Sequence, residues 1–236
     1  MIFRKKYSFK NYFLILSLLI MQEMIMSQDN PNYKIQTELY NIYKTKSADI
    51  VMFGNSLTRG VDWNELLGRD GIVNRGIPSD VLSGYKKRLD YIFRLNPKVV
   101  FIMGGINDIY NWTPVDEIFK TYQEVVAALL SRKIKVVIQS VIYSGENWGE
   151  EWLKLNKPEL KAYDVNLERN KEVDKLNLLL KNFALSNKIL FLDINSRLKT
   201  GNFLNKNYHY DGMHLNARGY KIWGEEVEKA IKELGL

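Results

Sequence analysis

Short apolar runs alternate along the chain with segments whose apolar residues recur every three to four positions. Asp49-Ile50-Val51-Met52-Phe53 is one such run and ends at Gly54, the pattern of a buried strand. Gly71-Ile72-Val73-Asn74-Arg75-Gly76 reads as a weaker second strand. Lys98-Val99-Val100-Phe101-Ile102-Met103 is a third, ending at Gly104-Gly105. Ile134-Lys135-Val136-Val137-Ile138 and Lys188-Ile189-Leu190-Phe191-Leu192 are the fourth and fifth. Helical spacing covers Ser79 to Leu95, with Ser79 or Asp80 as cap and Pro97 beyond the end. A second helix opens at Thr113-Pro114 and runs through Leu130, with Pro in the first turn, where its missing N–H costs nothing. Leu167 to Leu185 is helical by period, and a last amphipathic helix carries Trp223, Val227, Ala230, Ile231 and Leu234.

Strands that alternate with helices build βαβ units and a mostly parallel sheet. The strands are apolar throughout, as expected when helices cover both faces. One stretch interrupts the rhythm: Ser144 to Asn166 is long for a connection between a strand and a helix. It holds Trp148, Trp152 and Tyr163, which either contact a sugar or apolar substrate group or pin the loop to the body.

The N-terminus follows a different pattern. Arg4, Lys5, Lys6 and Lys10 precede an apolar stretch from Tyr12 to Met21, and Ser27 is a small residue before Gln28-Asp29-Asn30-Pro31. Basic, apolar and small-residue regions in that order read as a secretory signal over residues 1–27, cleaved near Ser27. The apolar stretch is shorter than the roughly 20 residues that span a bilayer, so stable membrane insertion is not expected after cleavage. Residues 28–236 then form a single domain, long enough to bury a sizeable core at 46% hydrophobic composition. An exported location, periplasmic or extracellular, follows. The chain has no cysteine, which removes disulfides, thiolate metal sites and cysteine nucleophiles. Its formal charge of +7 falls to +4 once residues 1–27 are gone, with their four basic residues and Glu23. That excess is too mild to imply nucleic acid. The densest internal cluster, Lys86-Lys87-Arg88, reads as a solvated helix face.

Two short segments carry candidate chemistry. Gly54-Asn55-Ser56-Leu57-Thr58 supplies a hydroxyl, and Asp211-Gly212-Met213-His214 an acid and a base, in a chain with only two histidines. A carboxylate beside one imidazole nitrogen fixes the tautomer and frees the other nitrogen to take a hydroxyl proton. An isolated DxxH is more commonly a turn whose Asp caps a helix, and Ser56 after a strand suits a helix N-cap. Position argues otherwise. Open α/β sheets bind ligands at the carboxyl ends of their strands. Ser56 follows the first strand, Gly76 ends the second, Asn107 follows the third and His214 lies beyond the fifth. Backbone N–H groups at Ser56 and Gly76 and the Asn107 amide are candidate donors to a developing oxyanion.

Gly54-Asn55-Ser56-Leu57, Gly76, Gly105-Ile106-Asn107-Asp108 and Asp211-Gly212-Met213-His214 occur in the order of the sequence blocks of SGNH (GDSL-type) hydrolases. The chain resembles that family over nearly all of residues 28–236. The resemblance implies a flavodoxin-like three-layer α/β/α sandwich with a five-stranded parallel sheet. It implies Ser56 as nucleophile, His214 as base and Asp211 as the residue orienting it, with Ser56, Gly76 and Asn107 forming the oxyanion hole. Asn55 departs from the Asp of the GDSL motif, which bears on local hydrogen bonding, and Leu215 stands where proline is common.

The expected activity is that of a serine esterase working through an acyl-enzyme on a small-molecule or glycan ester, with acetyl groups on carbohydrate as the leading target. An O-acyltransferase and a lipid or thioester hydrolase are alternatives on the same triad, and a non-catalytic carbohydrate-binding module is the alternative from another class. No cofactor or metal is expected: HExxH, P-loop and GxGxxG motifs are absent. His209, between Tyr208 and Tyr210, reads as a packed or exposed loop residue. Nothing in these patterns fixes the oligomeric state.

Overall fold

A computed structural model describes residues 30–236. The signal reading for residues 1–27 lies outside them. The chain opens with α1 (Pro31–Ile42), followed by β1 (Ile50–Gly54), α2 (Ser56–Arg59), α3 (Trp63–Leu67) and β2 (Ile72–Gly76). Next come α4 (Leu82–Lys87), α5 (Asp90–Phe93), β3 (Val99–Ile102), α6 (Ile106–Tyr110), α7 (Val115–Ser131) and β4 (Lys135–Gln139). The remainder is α8 (Glu150–Asn156), α9 (Ala162–Ser186), β5 (Leu190–Leu192), α10 (Asn195–Leu198), the small hairpin β6 (Lys199–Thr200) and β7 (Phe203–Leu204), and α11 (Ala217–Glu233).

The five main strands form one parallel sheet in the order β2-β1-β3-β4-β5. Helices α4, α7 and α9 pack on one another over one face, while α3, α10 and α11 cover the other. This is the expected three-layer sandwich. Every residue of β1 and β3 is buried, which explains their continuous apolar runs. Trp63 and Trp223 meet edge to face at 5.1 Å under the second helical layer, each with its indole N–H satisfied, by Thr58 O and Gln139 Oε1. The chain reverses its strand order between β1 and β3, and in such sheets the crevice outside those two strand ends is the ligand site. Ser56 and Asn107 follow those two strands. Among the described residues no helix is long and apolar enough to cross a membrane.

Two expectations about the region after β2 are corrected. Ser79 to Leu95 is not one helix: α4 starts only at Leu82 and gives way to α5 after Lys87. Ser79 is held in the left-handed region at φ 58°, so it cannot begin a helix. The cap comes from a distant residue, because the Asp108 carboxylate accepts the Leu82 N–H at 3.1 and 3.2 Å. The basic cluster is not wholly solvated either. Lys86 and Lys87 are exposed, but Arg88 is completely buried. Its guanidinium donates to Gly54 O at 2.8 Å, Arg75 O at 2.6 Å and Asp80 Oδ2 at 2.7 Å. One side chain therefore ties the ends of β1 and β2 to the loop that follows.

Candidate active site

Ser56 sits where β1 turns into α2. The turn is tight: a Cβ on Gly54 would fall 1.8 Å from Thr58 Oγ1. Asn55, not Ser56, is the helix cap, since its Oδ1 accepts the Leu57 N–H at 3.0 Å. The Ser56 hydroxyl is thereby left for another partner, and His214 Nε2 lies 3.1 Å from its Oγ. On the far side of the ring, His214 Nδ1 is 2.7 Å from Asp211 Oδ2. The other Asp211 oxygen accepts the backbone N–H groups of Met213 at 2.9 Å and His214 at 2.7 Å. Partial burial pushes the Asp211 carboxyl up, but these hydrogen bonds from His214 and Met213 outweigh it and hold the group below the usual carboxylate range. Asp211 therefore stays an acceptor and keeps the proton on His214 Nδ1. Helix α11 begins at Ala217 with Asn216 as cap, so His214 lies in the loop before it.

That loop has its own supports. Gly212 adopts φ 97°, and a Cβ there would meet Trp148 N at 2.8 Å. His209 is half-buried and more than a bystander: its Nδ1 accepts the Gly212 N–H at 2.8 Å. Accepting requires a lone pair on Nδ1, so this histidine must be neutral. Burial pushes its pKa down, which keeps it so. Aromatic rings bracket His214 itself. Trp148 meets the His214 ring edge-on at 5.6 Å, and Tyr210 stacks on it at 5.9 Å.

The donor side of the site differs from expectation at one residue. The Ser56 N–H has no partner among the described residues. Asn107 donates one amide hydrogen to Asp80 O at 2.8 Å and keeps the other free to donate. Gly76, in contrast, already donates its N–H to Asn74 Oδ1 at 2.8 Å. Its lack of a side chain serves packing, for a Cβ would lie 2.5 Å from Arg59 N and 2.7 Å from Asn55 O. The backbone group left open near Asn107 belongs to Ser79. That residue is exposed, left-handed and without an N–H partner among the described residues, and it adjoins the Asp80 that Asn107 grips. The Pro78-Ser79-Asp80 turn signature was the available sequence signal.

Beneath this loop Asp108 is buried and its carboxyl is pushed up to about 7, by burial first, against hydrogen bonds from backbone N–H groups, and further by nearby Asp80. A raised carboxylate favours the protonated folded state. The stability it contributes is full below the ordinary Asp value and is lost as pH climbs to about 7. Asp108→Asn is accordingly expected to flatten the decline in stability across that window, which this group steepens by at most about 1.4 kcal/mol per pH unit. Urea midpoints of the two proteins at several pH values measure it; parallel curves would refute the assignment.

The stretch Ser144 to Asn166 is partly helical, with α8 inside it and α9 beginning at Ala162. Asn166 draws it together, accepting the Tyr110 hydroxyl at 2.6 Å and donating to Glu146 O and Trp148 O. Trp148 reaches the His214 ring. Trp152 stands on α8 with 56% of its surface exposed, and Tyr163 packs on Phe203 at 4.9 Å.

A sequence model of the GDSL-like lipase/acylhydrolase family matches residues 52–222. Curated N-acylneuraminate cytidylyltransferases of Streptococcus agalactiae are 26% identical over 207 residues, 88% of this chain and 44% of theirs. The chain thus spans less than half the length of those relatives. Among solved structures, a GDSL-like lipase from Bacteroides thetaiotaomicron superposes with a TM-score of 0.70 at 23% identity, covering 86% of this chain and 98% of that one. An acetyl-xylooligosaccharide esterase from Geobacillus gives 0.59 at 20% identity, covering 82% and 97%.

Proposed function

The chain belongs to the GDSL-like lipase/acylhydrolase family, and we propose that it is an ester-bond hydrolase, an exported serine esterase removing small acyl groups, acetyl foremost, from carbohydrate. The observation that carries the mechanism is His214 lying between Ser56 and Asp211 at 3.1 and 2.7 Å. Ser56 Oγ attacks the ester carbonyl carbon as His214 Nε2 takes its proton. The carbonyl oxygen becomes an oxyanion that accepts from the Ser56 N–H, the free Asn107 amide hydrogen and the Ser79 N–H. The C–O bond to the alcohol breaks, and His214 protonates the departing oxygen. Water, deprotonated by His214, then attacks the acyl-enzyme, and Ser56 leaves with the proton as the carboxylic acid is released.

The carbohydrate half of this reading has separate support. Two relatives carry names that refer to acylated sugars or sugar acids. Export is supported by the order of basic, apolar and small residues in 1–27. The test is a panel of acetylated oligosaccharides, short-chain aryl esters and long-chain lipid esters, assayed with free sugar acceptors both absent and present. Turnover of the aryl acetate and the acetylated sugars, with acetate released to water, is expected. Preferential cleavage of long-chain lipids would overturn the substrate assignment, and acyl groups recovered on the acceptor would make the protein a transferase.

A further inference from the structure

Trp112 is the wrong residue for its backbone position, by ordinary standards. It directly follows Asn111, the cap of α6, and closes that helix: its N–H donates to Ile109 O at 3.1 Å, and the Thr113 N–H donates to Asp108 O at 3.0 Å. This arrangement places the residue in the left-handed region and is usually completed by glycine. Trp112 sits there at φ 62°, a conformation that strains a bulky side chain. Burial does not offset the strain, because 75% of Trp112 is exposed.

The ring is nevertheless fixed. The Arg169 guanidinium lies 3.0 Å from the ring centroid, and Arg169 is itself only 3% exposed. One aromatic face is therefore covered from below, and the other is left to solvent. Beside it opens a cavity of about 240 Å³ lined by Trp112, Thr113, Arg169 and the carboxylates Glu168 and Glu172. The platform is also tied to the active site. Asn107 and Trp112 are five residues apart, about 7.5 Å along a helix axis. Arg169 lies three residues beyond Asn166, which holds the Trp148 loop.

We propose that Trp112 is a stacking platform for a pyranose ring of the substrate, a sugar subsite displaced from the scissile ester. The negative face of an aromatic ring attracts the C–H face of a pyranose, and Glu168 and Glu172 accept from its hydroxyl groups. The separation from Asn107 leaves room for a sugar ring beside the scissile ester, as an oligosaccharide substrate supplies. The inference rests on the carbohydrate reading above.

The deciding variant is Trp112→Gly, which relieves the backbone while deleting the ring. Unfolding temperature is expected to hold or rise. The ratio of kcat/KM for acetylated xylo-oligosaccharide to kcat/KM for aryl acetate is expected to fall about tenfold, mainly through KM, with Trp112→Phe recovering part of the loss. A ratio unchanged by Trp112→Gly, in a protein that does deacetylate the oligosaccharide, overturns the subsite and leaves the function standing. Failure of the unmodified protein on a full panel of acetylated oligosaccharides, with aryl ester turnover intact, overturns the carbohydrate reading and the subsite with it.

Discussion

Ser56→Ala is expected to lower ester hydrolysis by about 10⁴-fold or more with little change in stability. Both halves of that expectation come from local geometry. The hydroxyl's partner is His214 Nε2, so its loss deletes the proposed nucleophile and one partly exposed hydrogen bond. The start of α2 does not depend on it, because Asn55 caps that helix. Ser56 also retains its backbone N–H, so an oxyanion donor survives the substitution. His214→Ala should cost a similar factor, and the double variant little more than either, since nucleophile and base act as one unit. Initial rates on an aryl acetate, together with unfolding midpoints, provide the check. Retained turnover in Ser56→Ala would remove the acyl-enzyme mechanism altogether.

The sequence reveals most of the layout and less of the bracing. β1 and β3 were legible because both their faces are covered, which demands unbroken apolar runs. Ser56, Asn107 and the Asp211-His214 pair were legible because strand ends in a parallel sheet share one edge. Interactions closed by residues far apart were not. Arg88 occupies a helix-like pattern beside two exposed lysines, and nothing local announces that its guanidinium satisfies carbonyls of Gly54 and Arg75. Asp108 caps a helix that begins 26 residues earlier. Gly76 carries the glycine expected of a donor, yet its N–H is taken by Asn74. Ser79 lacks the glycine, yet adopts the left-handed conformation that leaves an N–H open. Residue type was informative where it set burial, and misleading where a backbone group, which every residue possesses, had to be assigned.

Asp211→Asn separates the electrostatic and structural roles of the acid, and it is expected to reduce kcat by about 10⁴-fold. The Asn side-chain oxygen can still accept the Met213 and His214 N–H groups that Asp211 Oδ1 holds at 2.9 and 2.7 Å. The loop should therefore survive. The other position becomes an NH₂ donor facing His214 Nδ1, which must then present a lone pair. The imidazole proton moves to Nε2 and points at Ser56, so the ring can no longer take the hydroxyl proton. Asp211→Ala removes the two loop hydrogen bonds as well and should also lower stability, by about 1–3 kcal/mol. A combination of full stability and lost rate in the Asn variant, against losses of both in the Ala variant, would assign the tautomer to Asp211. If Asp211→Asn kept kcat within about tenfold of the unmodified protein, the base would have to be oriented by something other than this carboxylate. The stacked Tyr210 and edge-on Trp148 would then be what holds the ring.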